Sequence, residues 1–178
     1  MKKFNLKNFL FENKIAVVTG GAGLLGTEIS ITLASLGAKV IIADNNINKG
    51  KSLSKKIIKR GFKAEFYPLD ISSNKSIIEF TTTINNRFKK IDIWINNAYP
   101  RTKDWGSKNF EDITYESLNE NVRMHMNGYF VCCQKVLKLM KIKKRGVIVN
   151  VASIYGILGP NFNLYDGTDM TVAAAYSM

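Results

Sequence analysis

The sequence predicts an α/β fold, a doubly wound parallel sheet with helices on both faces. Two observations carry that prediction. Short runs rich in β-branched residues alternate with segments of helical period along the chain. The strand-like runs are apolar throughout instead of alternating, as strands buried on both faces are. Right-handed crossovers between parallel neighbours then cover both sides of the sheet and leave a ligand crevice at the carboxyl ends of the strands.

The elements follow in order. KIAVVTG (14–20) is a short β-branched run ending in glycine, the first strand. Leu25, Ile29, Leu33 and Leu36 then recur with helical period, and Gly37 stops that helix. KVIIAD (39–44) is the second strand, 46–60 an amphipathic helix ended by Gly61, and FKAEFYPLD (62–70) the third strand. A helix is expected over 73–88 and a fourth strand over IDIWINNA (91–98). A long helix then carries Leu118, Val122, Met126, Tyr129, Cys133, Val136 and Met140 on one stripe, so Cys133 is expected in the core and Cys132 elsewhere. KIKKRG (141–146) reads as its basic C-terminus with a glycine stop, and GVIVNVAS (146–153) as the fifth strand.

At 178 residues and 46% hydrophobic, the chain is expected to be one domain, 1–178, with a real core. The net charge of +12 is spread over scattered lysines, which fits solvated faces better than a nucleic-acid surface. Cys132 and Cys133 are adjacent and offer no disulfide framework, so a reducing compartment fits. In MKKFNLKNFLFENK the longest apolar run is 9–11, too short for a signal-peptide core, and nothing later approaches a membrane span. A cytoplasmic protein without membrane or nucleic-acid partners is expected. No His/Cys cluster suggests a metal.

TGGAGLLG (Thr19, Gly20, Gly21, Ala22, Gly23, Leu24, Leu25, Gly26) sits where the first strand turns into a helix, and Gly21, Gly23 and Gly26 fit G-x-G-x-x-G. Such glycines allow a tight turn, backbone approach to a pyrophosphate and close helix–strand packing. This is the turn of a Rossmann-type sheet. Asp44 closes the second strand 18 residues past Gly26. A carboxylate there accepts hydrogen bonds from a ribose diol and repels a 2′-phosphate, so NAD is expected over NADP.

With Asp70-Ile71 after the third strand, Asn96-Asn97-Ala98 after the fourth, VNVAS (149–153) after the fifth and then Tyr176, the chain resembles the short-chain dehydrogenase/reductase family. The resemblance implies hydride transfer on a nicotinamide between a carbonyl and an alcohol. It implies that Asp70 and Ile71 face the adenine, and that the turn with Asn97 and Ala98 supports the sheet and cofactor crevice. Ser153 would donate a hydrogen bond to the substrate oxygen, and Tyr176 would pass the proton. A free tyrosine has a pKa near ~10 and is roughly 0.1% phenolate at neutral pH. The family lowers it with a lysine four residues on, which here would be position 180, beyond Met178. The chain therefore reads as an amino-terminal fragment, incomplete at the C-terminus and inactive by itself, with the fifth strand as a sheet edge.

Three departures stand out. Leu24 replaces a glycine common in the family. His125, the only histidine, stands three residues before Gly128, where many members place a catalytic asparagine; it would hold the same water chain or titrate near neutrality, or else simply face the crevice or solvent. Ser153 and Tyr176 are 23 positions apart, and the extra residues read as a loop over the substrate pocket. Together these features look similar to short-chain enzymes of surface-sugar biosynthesis, implying a sugar-derived substrate. The family also implies a homo-oligomer for the full-length form. The other class of function is a non-catalytic dinucleotide-binding protein or partner subunit. Tyr99 and Lys103 form a second Y-x-x-x-K, but Pro100 separates them and Tyr99 leaves a strand, so they need not share a helical face.

Overall fold

The computed structural model describes residues 10–173. Five parallel strands, β1 (Ile15–Thr19), β2 (Lys39–Asp44), β3 (Ala64–Pro68), β4 (Ile93–Asn96) and β5 (Val147–Asn150), lie in the order β3-β2-β1-β4-β5. The helices α1 (Leu24–Ser35), α2 (Ile47–Lys59), α3 (Asn74–Phe88) and α4 (Tyr115–Lys143) connect them. The chain runs outward from β1 to β3, returns to place β4 beside β1, and continues to β5. The carboxyl ends of β1 and β4 therefore form the topological switch point.

Strand alternation divides the core in two. Ile15, Val17, Ile41, Ala43 and Trp94 pack with Ile77, Phe80 and Ile84 of α3 and with Cys132, Val136 and Met140 of α4. Ala16, Val18, Val40, Ile42 and Ile95 pack on the other face with Ala34 of α1 and with Leu53 and Ile57 of α2. Both faces being covered, the inner strands are apolar along their middles, at 15–18, 40–43 and 93–95.

Element ends shift for local reasons. Asn46 and Ser73 lie just outside α2 and α3, where their side chains accept from the amides of Lys49 and Ser76. β5 is shorter than the apolar run that predicts it and lies at the sheet edge, with Val147 56% and Val149 43% exposed. α4 ends on a left-handed residue at Lys144 (φ 51°), ahead of Gly146.

Two helix faces differ from expectation. α1 buries Gly26, Ser30 and Ala34, whereas Leu25 is 62% exposed. The helix comes too close to the β1 turn for larger side chains: a Cβ on Gly26 would stand 2.0 Å from the carbonyl oxygen of Gly20. α4 buries Asn121, Gly128, Cys132, Val136 and Met140, so Cys132 is the core cysteine, Cys133 is half-buried and Met126 is 61% exposed. Close packing of Gly128, where a Cβ would meet the Ile71 carbonyl oxygen at 2.5 Å, holds the helix in that rotation. Burial and the neighbouring Cys133 push the Cys132 thiol up to about 12, so it stays protonated and unreactive.

No helix among the described residues is long and apolar enough to cross a membrane.

Candidate cofactor crevice and active site

The switch point is stitched by side chains that the sequence singles out. Thr19 is fully buried. Its Oγ1 donates to the Ile95 carbonyl (3.2 Å) and accepts from the amides of Asn97 (3.0 Å) and Ala98 (3.1 Å). The Asn97 amide group donates to the carbonyls of Thr19 (3.0 Å) and Gly20 (3.2 Å), so the turn after β4 grips the glycine turn. Asn96, also fully buried, accepts from Trp94 Nε1 (2.7 Å) and donates to Asn150 Oδ1 (2.8 Å), tying β4 to β5.

The glycine turn presents backbone. Gly20 adopts φ +59°, where a Cβ would also meet Ala98 Cα at 2.8 Å. Gly21 is tied to β2 through its amide bond to the Ala43 carbonyl (3.2 Å). Gly23 is the N-cap of α1 and supplies no side-chain cap, which leaves first-turn amides free for an anion. Leu24 and Leu25 point outward, 91% and 62% exposed, so they line the turn through their amides and not by packing.

Asp44 is 8% exposed and lies beside this turn. Its Oδ2 accepts from the Ala22 amide (2.9 Å) and its Oδ1 from the Asn46 amide (2.9 Å). The carboxylate thus braces the glycine turn against the start of α2, and each oxygen keeps acceptor capacity for a hydroxyl. Next to it lies a cavity of about 430 Å³ lined by Ala22, Asn48, Lys49, Ser52 and Lys56. The Asp70 carboxylate accepts from the Ser72 amide (2.9 Å) and hydroxyl (2.7 Å). The Ile71 side chain is 5% exposed and packs in the α3–α4 core; only its backbone is left to face a ligand.

Ser153 follows β5. Its Oγ accepts from the Tyr155 amide (3.1 Å) and caps a 3-10 turn at Ile154–Gly156, leaving the hydroxyl proton free to donate. The loop beyond it returns to the β4–α4 connection, where the Thr171 amide donates to the Gly106 carbonyl (3.1 Å). Tyr176 lies outside the described residues.

His125 is wedged between Tyr99 and Tyr129, with ring centroids at 4.6 and 4.5 Å and near-perpendicular planes. Tyr99 and Lys103 lie in an irregular segment, as Pro100 implies. His125 Nε2 is buried without a hydrogen-bond partner among the described residues, and so is Oδ1 of Asn121, one turn earlier on the same buried face. Asn121 belongs to no motif; its place four residues before His125 is the signal that pairs them. Asn121 Nδ2 donates to Thr102 Oγ1 (2.7 Å), anchoring the β4–α4 connection to the helix.

Burial holds the His125 pKa below its ordinary value. An unfolded histidine takes up its proton at higher pH than this one does. Its contribution to stability is therefore full above about pH 6.5 and is lost as pH falls through the folded-state value. Thermal melts at about pH 7.5 and 5 are expected to show acid destabilisation, part of which His125→Gln removes. An identical pH dependence in the variant would contradict that assignment.

A doubly wound sheet with a glycine turn at the switch point and an acid closing β2 defines a Rossmann-type, nucleotide-binding fold class. A family model described as short chain dehydrogenase matches residues 14–173, and the chain belongs to that family. It is 32% identical over 171 residues to the post-translational flagellin modification protein A of Campylobacter coli, covering 95% of this chain and 66% of that protein. Among solved structures, an NAD+-bound xylitol dehydrogenase is 25% identical at a TM-score of 0.81, covering 94% of this chain and 59% of the other. A metagenomic short-chain oxidoreductase in complex with NADP is 25% identical at a TM-score of 0.77, covering 93% and 69%. The chain thus spans about two thirds of the Campylobacter protein's length.

Proposed function

We propose that the protein carrying this chain is an NAD(H)-dependent oxidoreductase that interconverts an alcohol and a carbonyl on a small, sugar-derived substrate. The observation that carries the proposal is the seat formed by the uncapped start of α1, the glycine turn gripped by Asn97, and Asp44 beside it. Gly26 lets α1 close directly on that turn, since a Cβ there would stand 2.0 Å from the Gly20 carbonyl oxygen. A bound nicotinamide supplies or accepts the hydride. Ser153 then orients the substrate oxygen by hydrogen bond, and Tyr176 gives or takes the proton at that oxygen. His125 and Asn121 hold polar atoms beneath the connection that borders this site.

The similarity to an NAD+-bound xylitol dehydrogenase supports a substrate with sugar-type hydroxyls. Solubility in the cytoplasm and a homo-oligomeric form are part of the same reading, the latter supported by the exposed apolar face of Met126, Phe130 and Leu137 on α4. One observation favours NADP instead: Lys49 and Lys56 line the cavity next to Ala22. The acid decides between them in our reading, since Asp44 is the closer and more buried group. NADH is expected to bind tighter than NADPH. Asp44→Asn keeps one acceptor for the backbone amides while removing the charge, and is expected to narrow the gap about tenfold. Asp44→Ala narrows it too, with a stability loss of about 1–3 kcal/mol from the two amides left unpaired. Tighter binding of NADPH by the unmodified protein overturns the NAD assignment. Turnover of neutral and acidic sugar alcohols with NAD+, read as reduced-nicotinamide absorbance, tests the reaction itself.

A further inference from the structure

The β4–α4 connection carries a feature that the hydride and proton chemistry leaves unused. The Arg101 guanidinium lies 4.0 Å over the ring of Trp105. Trp105 is half-buried, is met edge-on by Tyr99 at 5.9 Å and donates its Nε1 proton to the Tyr99 hydroxyl (3.2 Å). The indole is thus fixed from below, and it fixes the arginine in turn. Arg101 forms no ion pair among the described residues, and neither does Lys103. The acid nearest in sequence, Asp104, is engaged elsewhere: its Oδ1 accepts from the Ser117 hydroxyl (2.7 Å), and its carboxylate lies 3.9 Å from Lys108 Nζ.

Placement gives the pair its meaning. Trp105 immediately precedes Gly106, whose carbonyl receives the Thr171 amide (3.1 Å), and Thr171 stands five residues before Tyr176 in sequence. Tyr99, at the other end, follows directly on Asn97 and Ala98 of the cofactor crevice. The segment after β4 and the loop beyond Ser153 therefore meet at Gly106, next to the Trp105 that carries Arg101.

We propose that Arg101, held on the Trp105 face, reads an anionic group of the substrate, so that the substrate is a small sugar acid or sugar phosphate and not a neutral polyol. The inference rests on the oxidoreductase reading above. A guanidinium held over an aromatic ring keeps its N–H fork available for bidentate contact with carboxylate or phosphate oxygens. Unpaired by any acid among the described residues, it keeps its charge for that contact, and Lys103 adds to the field.

Trp105 supplies the readout, because the other tryptophan, Trp94, is fully buried. With NAD+ saturating and ionic strength fixed, the chain is titrated with gluconate, glucose 6-phosphate, glucitol and glucose while tryptophan emission is followed. A saturable change is expected with an anionic probe, at least about tenfold tighter than with its neutral counterpart. Arg101→Ala should bring the anion down to the neutral level, and Arg101→Lys should keep part of the difference. Trp105→Phe should remove the signal. A response to gluconate alone assigns a carboxylate, to glucose 6-phosphate alone a phosphate ester, and to both an anion reader of either kind. No saturable response to either anion, an equal response to the neutral probes, or an unchanged Arg101→Ala would overturn the proposal. NADH binding, measured separately, keeps the two readings apart. Failure of the anion titrations with NADH still bound removes only the anion assignment, whereas absence of NADH binding removes the oxidoreductase reading.

Discussion

Tyr176→Phe is expected to lower turnover by about 10³-fold in the protein that carries this chain, with NADH affinity unchanged. The phenol is the proton donor and acceptor in the proposed reaction, and phenylalanine keeps its shape while removing the proton. Hydride transfer without that proton would leave an alkoxide in the site, so the loss falls on kcat. Ser153→Ala should cost about 10²-fold through the lost hydrogen bond to the same oxygen. Tyr99 provides the control. It has a lysine four residues on, Lys103, but its hydroxyl accepts from Trp105 Nε1 and its ring packs on His125. Tyr99→Phe should therefore cost about 1 kcal/mol of stability and little rate. A greater loss of turnover in Tyr99→Phe than in Tyr176→Phe would show that the wrong tyrosine had been assigned.

Gly26→Ala is expected to be the most damaging single methyl group in the cofactor half. Its Cβ would stand 2.0 Å from the Gly20 carbonyl oxygen and 2.9 Å from Asn97 Nδ2. Both neighbours are held in place, the first as backbone and the second by its bonds to Thr19 and Gly20. No flexible side chain can yield, so α1 must move off the turn. The cost is about 3 kcal/mol, or roughly 6–12 °C in melting temperature for a chain of this size, together with loss of dinucleotide binding. Gly156→Ala is the comparison, because nothing lies within 4 Å of a Cβ there. Equal melting temperatures for the two variants would refute the packing argument.

The sheet was legible because its causes are local and repeated. Runs such as 40–43 are apolar at every position only when both faces are covered, and the glycines mark where the chain must turn. The rotation of the helices was not legible, because close approach decides it. Hydrophobicity points Leu25 inward, but α1 sits so near the β1 turn that Gly26, Ser30 and Ala34 take the buried face. The same holds for α4, where Gly128 against Ile71 exchanges the places of Cys132 and Cys133. Within the candidate site, Asp44, Thr19 and Asn97 could be picked out by position after a strand. Their mutual bracing could not, because it joins residues 22 and 44 and residues 19 and 97 across the sheet. Asn121 and Arg101 carried no motif at all; only the fold brings Asn121 under Thr102 and sets Arg101 on Trp105.

The central claim is that the glycine turn and Asp44 form a seat for NAD(H). Calorimetric titration of the chain with NADH and with NADPH tests it without any need for a substrate. The account predicts one saturable NADH site, weaker binding of NADPH, and loss of the NADH heat in Gly26→Ala. Absence of saturable NADH binding by a folded chain, or NADH binding that Gly26→Ala leaves intact, would contradict it.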